Sequence, residues 1–540
     1  MRLFKKWKLR GAMMLLLAAV MLVAAGCQAI GGVDFNAMLK QSLKVTSMEG
    51  KQTFEVELLL KDTGSEQLDE EMTALIKMFS HIKVQLNDIK VQNASNTSMT
   101  GELQLGDKSV GFAVKMSDEW LVVTIDGAKR PFRFSMTDAS YGALLSGGYV
   151  EGENTETAVN EETHTQMMEI GKKIIDHLGG YMIDNLPNPK QLSVTPASQT
   201  INGESVSLMH IQAKLDGPEL WAWGKKYVDA LIADKEGLSD MLTNIFELLS
   251  SEKEVFNALG MNEITDELSG SKEEQGELIR QTVEDIISML SDMRDEMLET
   301  EKNDADFINE LFNSGLQLKY DIYIDSKLDI RKTATEFIVK PEFDAEDESF
   351  ASELPFEGIA IRSTAEQWNV NGEVESDAPV VSSFDLTEEQ LFDMESYQFV
   401  KQFDTNSVVY DLLKNQFGFS KQSVYLYSEY EDNPPIVTPD GTTLMPLRNL
   451  ANGLGDWIGY DPATKTYVLF DKGTNQTLQL RNGSKDVVVN DKTETWSFPV
   501  TIIGNTMYVP ASDIAQVLNG TVTWDNTFED YEILIFEREL

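Results

Sequence analysis

Apolar and polar positions follow different periods along this chain. Phe54, Val56, Leu58 and Leu60 alternate with Thr53, Glu55, Glu57 and Leu59, and Val84 and Leu86 with Lys83 and Gln85. Leu103 and Leu105, then Val110, Phe112, Val114 and Met116, continue the series, as do Val122, Thr124, Phe132, Phe134 and Met136. Gly106-Asp107, Ser117-Asp118 and Asp126-Gly127 separate these runs. A period of two with one polar face predicts antiparallel strands, here a β-meander. After a glutamate-rich loop (147–162) the period lengthens. Met167, Met168, Ile170, Ile174, Ile175 and Leu178 keep helical spacing until Pro187 and Pro189. Val206 to Leu215 reads as a strand, and Asp216-Gly217-Pro218 opens a helix with proline in its first turn. Ser271 and Glu274 have capping-box spacing ahead of a long amphipathic helix from Leu278 to Met297. Asp34 is placed to cap a short helix, Phe35 to Leu43. Strands return at Leu316 to Ile324, Phe337 to Val339, Ile359 to Ile361 and Trp368 to Val370. Runs of strands, helices and strands predict an α+β class: an antiparallel β-meander domain with a helical insert.

The 540 residues exceed what one core usually serves, and 42% apolar content is enough for real cores. With 89 acidic and 45 basic residues the formal charge is −44, which excludes nucleic acid as a partner, because phosphate recognition needs clustered cations. A single cysteine excludes an internal disulfide and multi-thiolate zinc sites.

That cysteine lies in an informative context. Arg2, Lys5, Lys6, Lys8 and Arg10 precede the uncharged apolar run Ala12 to Ala25, whose 14 residues suit a signal-peptide core and fall short of the ~20 of a membrane span. The run leads into Val23-Ala24-Ala25-Gly26-Cys27, and this resembles a bacterial lipoprotein signal with its lipobox. The resemblance implies cleavage between Gly26 and Cys27, diacylglyceryl modification of Cys27, a membrane partner held through that anchor, and an extracytoplasmic position on the outer face of a Gram-positive cell membrane. Alanine at 24, where leucine is commonest, departs from the pattern. Residues 1–26 are then a signal peptide and 27–33 a tether.

The C-terminal fifth contains a tandem repeat. Pro435-Ile436-Val437 precedes Gly441-Thr442-Thr443-Leu444-Met445-Pro446-Leu447-Arg448, and 64 residues later Pro499-Val500-Thr501 precedes Gly504-Asn505-Thr506-Met507-Tyr508-Val509-Pro510. Ala451, Leu454 and Tyr460-Asp461 recur as Ala515, Leu518 and Trp524-Asp525. Each unit reads strand, glycine turn, strand, proline, short helix and strand, with the aromatic–Asp pair opening the last strand. Two such units predict one small α/β domain. The segment resembles the copper amine oxidase N-terminal-like, or stalk, domain, with Pro446, Leu447, Arg448, Gly455, Asp461, Pro510, Trp524 and Asp525 as its structural motif positions. Ala511-Ser512 and Asn519 depart from the usual Leu-Arg and Gly. The catalytic part of those oxidases has three histidine copper ligands and a modified tyrosine in an Asn-Tyr-Asp/Glu context. Here the histidines are His81, His164, His177 and His210, none in the repeat, and no Asn-Tyr-Asp/Glu occurs.

Residues 34–376 are assigned to the large domain, 377–433 to a mixed helical connector and 434–540 to the stalk-like domain. The large domain resembles, in architecture, lipoprotein carriers of the LolA and LppX type, whose curved sheets hold acyl chains. The Met and Leu content of the helical insert suits either an adaptable lipid pocket or ordinary core packing. Ser80 to Lys83 and Ser250 to Lys253 have Ser-x-x-Lys spacing without the Ser-Asp-Asn and Lys-Thr-Gly companions, and the acidic loop Glu342 to Glu348 lacks calcium-loop spacing. No catalytic residue, metal site or cofactor is expected. The expected function is a non-catalytic, lipid-anchored envelope protein that binds cell-wall polymer or another surface protein. The alternative is an extracytoplasmic carrier of lipid or another hydrophobic ligand.

Overall fold

The computed structural model describes residues 34–61, 70–136, 161–253, 255, 270–341, 355–429, 432–527 and 531–540. Gly26, Cys27, the tether and the acidic loops 147–160 and 342–348 lie outside them. The chain divides into two compact units, one of residues 1–126 and 130–388, the other of 127–129 and 389–540.

The first unit is built on one twelve-stranded sheet: β1 (Met48–Leu60), β2 (His81–Val91), β3 (Thr97–Leu105), β4 (Lys108–Met116), β5 (Trp120–Ile125), β6 (Phe132–Ser135), β7 (Gln191–Ile201), β8 (Glu204–Asp216), β9 (Gln317–Ile324), β10 (Ile330–Val339), β11 (Phe356–Trp368) and β12 (Leu386–Thr387). Its order is β12-β6-β5-β4-β3-β2-β1-β11-β10-β9-β8-β7. Two antiparallel meanders, β1–β6 and β7–β11, are therefore joined side by side through β1 and β11. Only the two-residue β12 runs parallel to its neighbour β6.

The helices are α1 (Phe35–Leu43), α2 (Glu70–Phe79), α3 (Glu161–Asp184), α4 (Gly217–Ala233), α5 (Lys235–Ser251), α6 (Lys272–Asn303) and α7 (Ala305–Leu311). Their starts are written locally. The Asp34 side chain accepts from the Ala37 N–H at 3.0 Å, and Asp216 from the Glu219 N–H at 2.9 Å. Ser271 and Glu274 form the expected capping box. The strands expected at 359–361 and 368–370 are one strand, β11, which ends at Trp368, and two further elements depart from the sequence reading. Helix α2 fills part of the gap between the first two strands. Strand β7, with Pro196 and mostly polar residues, follows the prolines after α3; it lies at the sheet edge, where proline is tolerated. The domain end read at 376 lies within the first unit: the Asp377 N–H donates to Ser98 Oγ at 3.0 Å, and Leu386 pairs with Phe132.

The second unit holds the helices α8 (Glu388–Phe392, of which 389–392 belong here), α9 (Ser396–Val400) and α10 (Val408–Asp411), then β13 (Lys421–Tyr427), β14 (Ile436–Val437), β15 (Thr443–Pro446), α11 (Leu447–Leu454), β16 (Trp457–Asp461), β17 (Thr466–Asp471), β18 (Gln476–Leu480), β19 (Asp486–Val489), β20 (Lys492–Thr495), β21 (Thr501–Ile503), β22 (Thr506–Pro510), α12 (Ala511–Val517), β23 (Gly520–Asp525) and β24 (Ile533–Glu539). The strands form three sheets, β14-β15-β22-β21, β16-β17-β18-β19-β20 and β13-β24-β23. Much of what was read as a helical connector thus belongs to this unit, and β13 supplies an outer strand of the third sheet.

The repeat has a symmetry the sequence offset alone does not reveal. In the central ladder Met445 faces Val509, its own counterpart 64 residues on, while Leu444 faces Pro510 and Pro446 faces Tyr508. The copies therefore meet about an internal two-fold axis, as the halves of an isologous dimer do. Each copy then sends a hairpin, β16–β17 or β23–β24, to one flanking sheet. One hairpin gains β18 as its third strand and the other gains β13.

Candidate functional site

The motif residues predicted from sequence shape this domain. Pro446 and Pro510 both end a strand and stand at the N-cap of the following helix, with φ of −71° and −64°. Leu447 is buried and Arg448 exposed. Gly455 closes α11 in the left-handed conformation at φ 71°. The aromatic–Asp pairs end β16 and β23; they do not open the following strand as expected. The reason is the aspartate. Asp461 accepts from the Ala463 N–H at 2.9 Å and Thr464 Oγ1 at 2.7 Å, and Asp525 from the Thr527 N–H and Oγ1 at 3.0 and 2.7 Å, so each side chain builds the turn into the next strand. Trp524 Nε1 donates to Thr443 Oγ1 at 3.3 Å. These residues are brought together as scaffold around the repeat axis.

The sequence reading missed a buried ionic cluster in the same unit. Arg538 on β24 donates through Nη1 to Asp471 Oδ2 at 2.9 Å, with Nη2 at 2.8 Å from Oδ1, and both side chains are fully enclosed. Arg538 Nε donates to Gln422 Oε1 at 2.8 Å, and Thr474 Oγ1 donates to Asp471. The Lys472 N–H donates to Asp456 Oδ1 at 3.0 Å. Burial, and then the hydrogen bond with Asp471, push the Asp456 carboxyl up to about 7. Burial also opposes ionisation of Asp471, but hydrogen bonds from Arg538, Thr474 and Asp456 outweigh it and hold that carboxyl below its ordinary value. A signal was present in the sequence: Leu534, Phe536 and Arg538 share one strand face, as do Leu469 and Asp471, so two charges occupy core-phase positions.

This cluster gives the unit a pH dependence of definite sign. With its carboxyl raised to about 7, Asp456 keeps its proton in the fold below that pH while the unfolded chain releases it from about 4, so stability falls as pH rises from about 4 and levels off above about 7. With partial solvent screening the loss is about 2 kcal/mol. Hydrogen-exchange protection in β17 and β24, corrected for intrinsic rate, should fall by that amount between pH 4 and 7, and Asp456→Asn should flatten the dependence.

In the first unit, the two faces of the sheet differ in kind. One face is charged. Arg362 on β11 donates through Nε to Glu336 Oε1 at 2.9 Å and through Nη1 to Glu57 Oε2 at 2.6 Å, and His81 Nε2 lies 2.9 Å from Glu55 Oε1. Farther along, His210 Nε2 and Gln212 Nε2 both lie 2.7 Å from Asp321 Oδ1, and the Tyr323 ring stacks on His210 at 4.4 Å. Burial opposes ionisation of Asp321, yet its hydrogen bonds with Gln212, His210 and Lys319 hold the carboxyl below its ordinary value. The Asn202 N–H donates to Glu366 Oε1 at 2.8 Å, which brings the β7–β8 turn over this face as far as β11. His210 is thus a partly covered residue in a satisfied network.

The other face is apolar across β1–β5 and β7–β11, but it is covered on one half. Over β7–β10, Ile211, Leu215, Leu318, Ile322 and Ile324 are at most 3% exposed beneath α1 and α3–α6. Phe35 and Met38 of α1, and Trp223, Leu231, Leu238, Ile287 and Leu290 of the longer helices, make that cover. Over β1–β4 the equivalent positions Phe54, Val56, Leu58, Ile82, Val84, Leu86, Leu103, Phe112 and Val114 are partly or largely exposed, while Val110 and Ile89 on the same face are buried at 7% and 8%. Phe54 stands at 41% and Leu60 at 46%. Among the described residues, the buried clusters of this unit draw on β7–β10 and on none of β1–β6. Four inter-strand spacings of about 4.8 Å make the β1–β5 face about 19 Å wide.

Among the described residues, no group of three or more His, Cys, Asp or Glu side chains is placed to hold a metal ion, and no helix is long and apolar enough to cross a membrane.

The fold and its sites define a two-unit α+β protein with a half-covered apolar sheet and a two-fold repeat domain. Residues 424–533 match the family model of the copper amine oxidase N-terminal domain, a non-catalytic part of those enzymes. The match begins within β13, ten residues before the repeat-based boundary, in keeping with the strand that β13 adds to the third sheet. No curated protein and no solved structure matches the chain.

Proposed function

We propose that this is a non-catalytic extracytoplasmic lipoprotein, anchored through Cys27, whose large unit binds a hydrophobic ligand on the uncovered half of its sheet. The observation that carries the reading is the contrast between the halves of one apolar face: among the described residues, the same alternation is buried under helices over β7–β10 and stays partly to largely exposed over β1–β4, Val110 and Ile89 apart. Exposed apolar surface on that scale marks a binding site more often than an inert surface. An acyl chain is the ligand that suits a strip whose only charge on β1–β5 is Lys108 at its end, and each methylene it buries contributes about 0.8 kcal/mol. The test is native mass spectrometry of the full chain purified from membranes, before and after incubation with palmitic acid. Co-purified lipid, or stoichiometric uptake of palmitate, is the expected result. Apo protein alone in both spectra refutes the reading.

A second reading concerns the C-terminal unit, which would hold the protein against envelope material. It is favoured by exposed aromatic residues on the outer face of the β16–β20 sheet, Trp457 above all.

A further inference from the structure

The five-stranded sheet of the second unit buries one face and shows the other. Leu469, Leu478, Leu480 and Val487 point into the core. Their neighbours in sequence point outward and form two cross-strand rows. One row runs Trp457, Phe470 and Thr477; the next runs Gly459, Val468, Gln479, Val488 and Thr493. Neither row contains a charge. That is unusual on a chain with one residue in four charged, and charges return beyond the rows, at Asp461, at Asp486 and at Arg481, whose Nε donates to Thr466 Oγ1 at 3.1 Å.

Trp457 is held in a particular way. A Cβ at position 459 would come within 2.1 Å of its Cη2, so the indole runs along the strand and occupies the space that the missing side chain leaves. It is nevertheless 61% exposed. A bulky ring laid over its own strand, beside Phe470 and Val468, makes a fixed apolar platform. Thr477 and Gln479 on the neighbouring strand border it with hydroxyl and amide groups.

We propose that this face binds a neutral saccharide, with a pyranose ring stacked on Trp457 and Phe470 and its equatorial hydroxyls bonded by Gln479 and Thr477. The proposal rests on the reading that the C-terminal unit holds envelope material, and it names the class of that material. A sugar ring has an apolar C–H face with polar groups around its rim, which is the complement of an aromatic platform with a polar border. An anionic polymer or an anionic lipid surface would require cations, and the rows offer none; the segment 435–536 carries 12 acidic and 6 basic residues. A protein partner would require a patch of about 800 Å², several times the area of two rings.

The experiment uses the full chain, with N-acetylglucosamine tetramer followed by tryptophan fluorescence and calorimetry, and with sacculi stripped of anionic polymers in a sedimentation assay. The wild type should bind both. Trp457→Ala should weaken tetramer binding at least tenfold, and Gly459→Val should do the same by displacing the indole without removing it. Trp457→Phe should retain most of the affinity. Unchanged hydrogen-exchange protection in β17 and β18 shows that the Trp457 variants remain folded. Sacculus binding that persists in Trp457→Ala overturns the platform and leaves the envelope-binding reading standing. Failure of the wild type to bind sacculi removes both. Tetramer affinity equal in wild type and Trp457→Ala overturns the proposal on its own.

Discussion

Replacing Arg538 by alanine should destabilise the C-terminal unit by about 3–5 kcal/mol at pH 8, the largest effect expected of a single substitution here. Among the described residues the guanidinium is the one cation against a fully enclosed Asp471 carboxylate, with Nη1 hydrogen-bonded to Oδ2 at 2.9 Å and Nη2 2.8 Å from Oδ1. Removing it leaves a buried negative charge beside a second carboxyl, Asp456. The chain then has two responses, to ionise at a high cost or to hold the proton. The penalty should therefore shrink at pH 5, where Asp471 can remain protonated. Arg538→Met combined with Asp471→Leu should recover most of the stability, because removing a buried pair together costs far less than orphaning one partner. Urea unfolding followed by hydrogen exchange in β17 and β24 measures all three. Equal stability of Arg538→Ala and wild type at pH 8 would contradict the enclosure of the pair.

The second large effect is on ligand binding. Phe54→Asp should reduce acyl-chain affinity by about thirtyfold, or about 2 kcal/mol, while leaving the fold almost untouched. Phe54 lies on the central strand β1, faces Val84 of β2 and Ser363 of β11, and is already 41% exposed. Its loss therefore leaves no sealed cavity. A bound acyl chain, however, would have to desolvate the new carboxylate, and an unpaired buried charge costs more than the methylenes gain. Thr53→Asp is the matched control, since it places the same charge one residue away on the opposite face of the sheet. Displacement of a fluorescent C18 fatty acid, compared across the two variants and wild type, separates a face-specific effect from a simple gain of negative charge. Similar losses in both variants would remove the open face as the site.

The alternation that predicts strands in this chain was legible, and so were the helix starts, because Asp34, Asp216, Ser271 and Glu274 act within one turn of themselves. The uncovered half of the sheet was not. Phe54, Val56 and Leu58 read no differently from Leu318, Tyr320 and Ile322; which set receives a helical lid depends on where α1 and α3–α6 come to rest. Strand β7 escaped notice because an edge position tolerates Pro196 and a polar composition. The 64-residue repeat was plain, but its two-fold character became visible only when Met445 was found opposite Val509. The aromatic–Asp pairs stand out in the sequence, but their role does not, since a side chain that caps a turn looks the same in sequence whether a strand ends or begins there.

The position of β1 beside β11 bears on how the molecule is made. Leu60 and Phe356, partners in that ladder, are 296 residues apart. The first meander can form early from local hairpins, but until β11 is synthesised and delivered, β1 carries a free hydrogen-bonding edge next to an open apolar face. A nascent chain in that state is a template for strands of other molecules. Closing so long a loop also makes the central ladder slow to form compared with its hairpins. Folding of the first unit should therefore be limited by the docking of two preformed half-sheets. Truncation anywhere before β11 would leave soluble assembly dependent on a chaperone able to cover that edge.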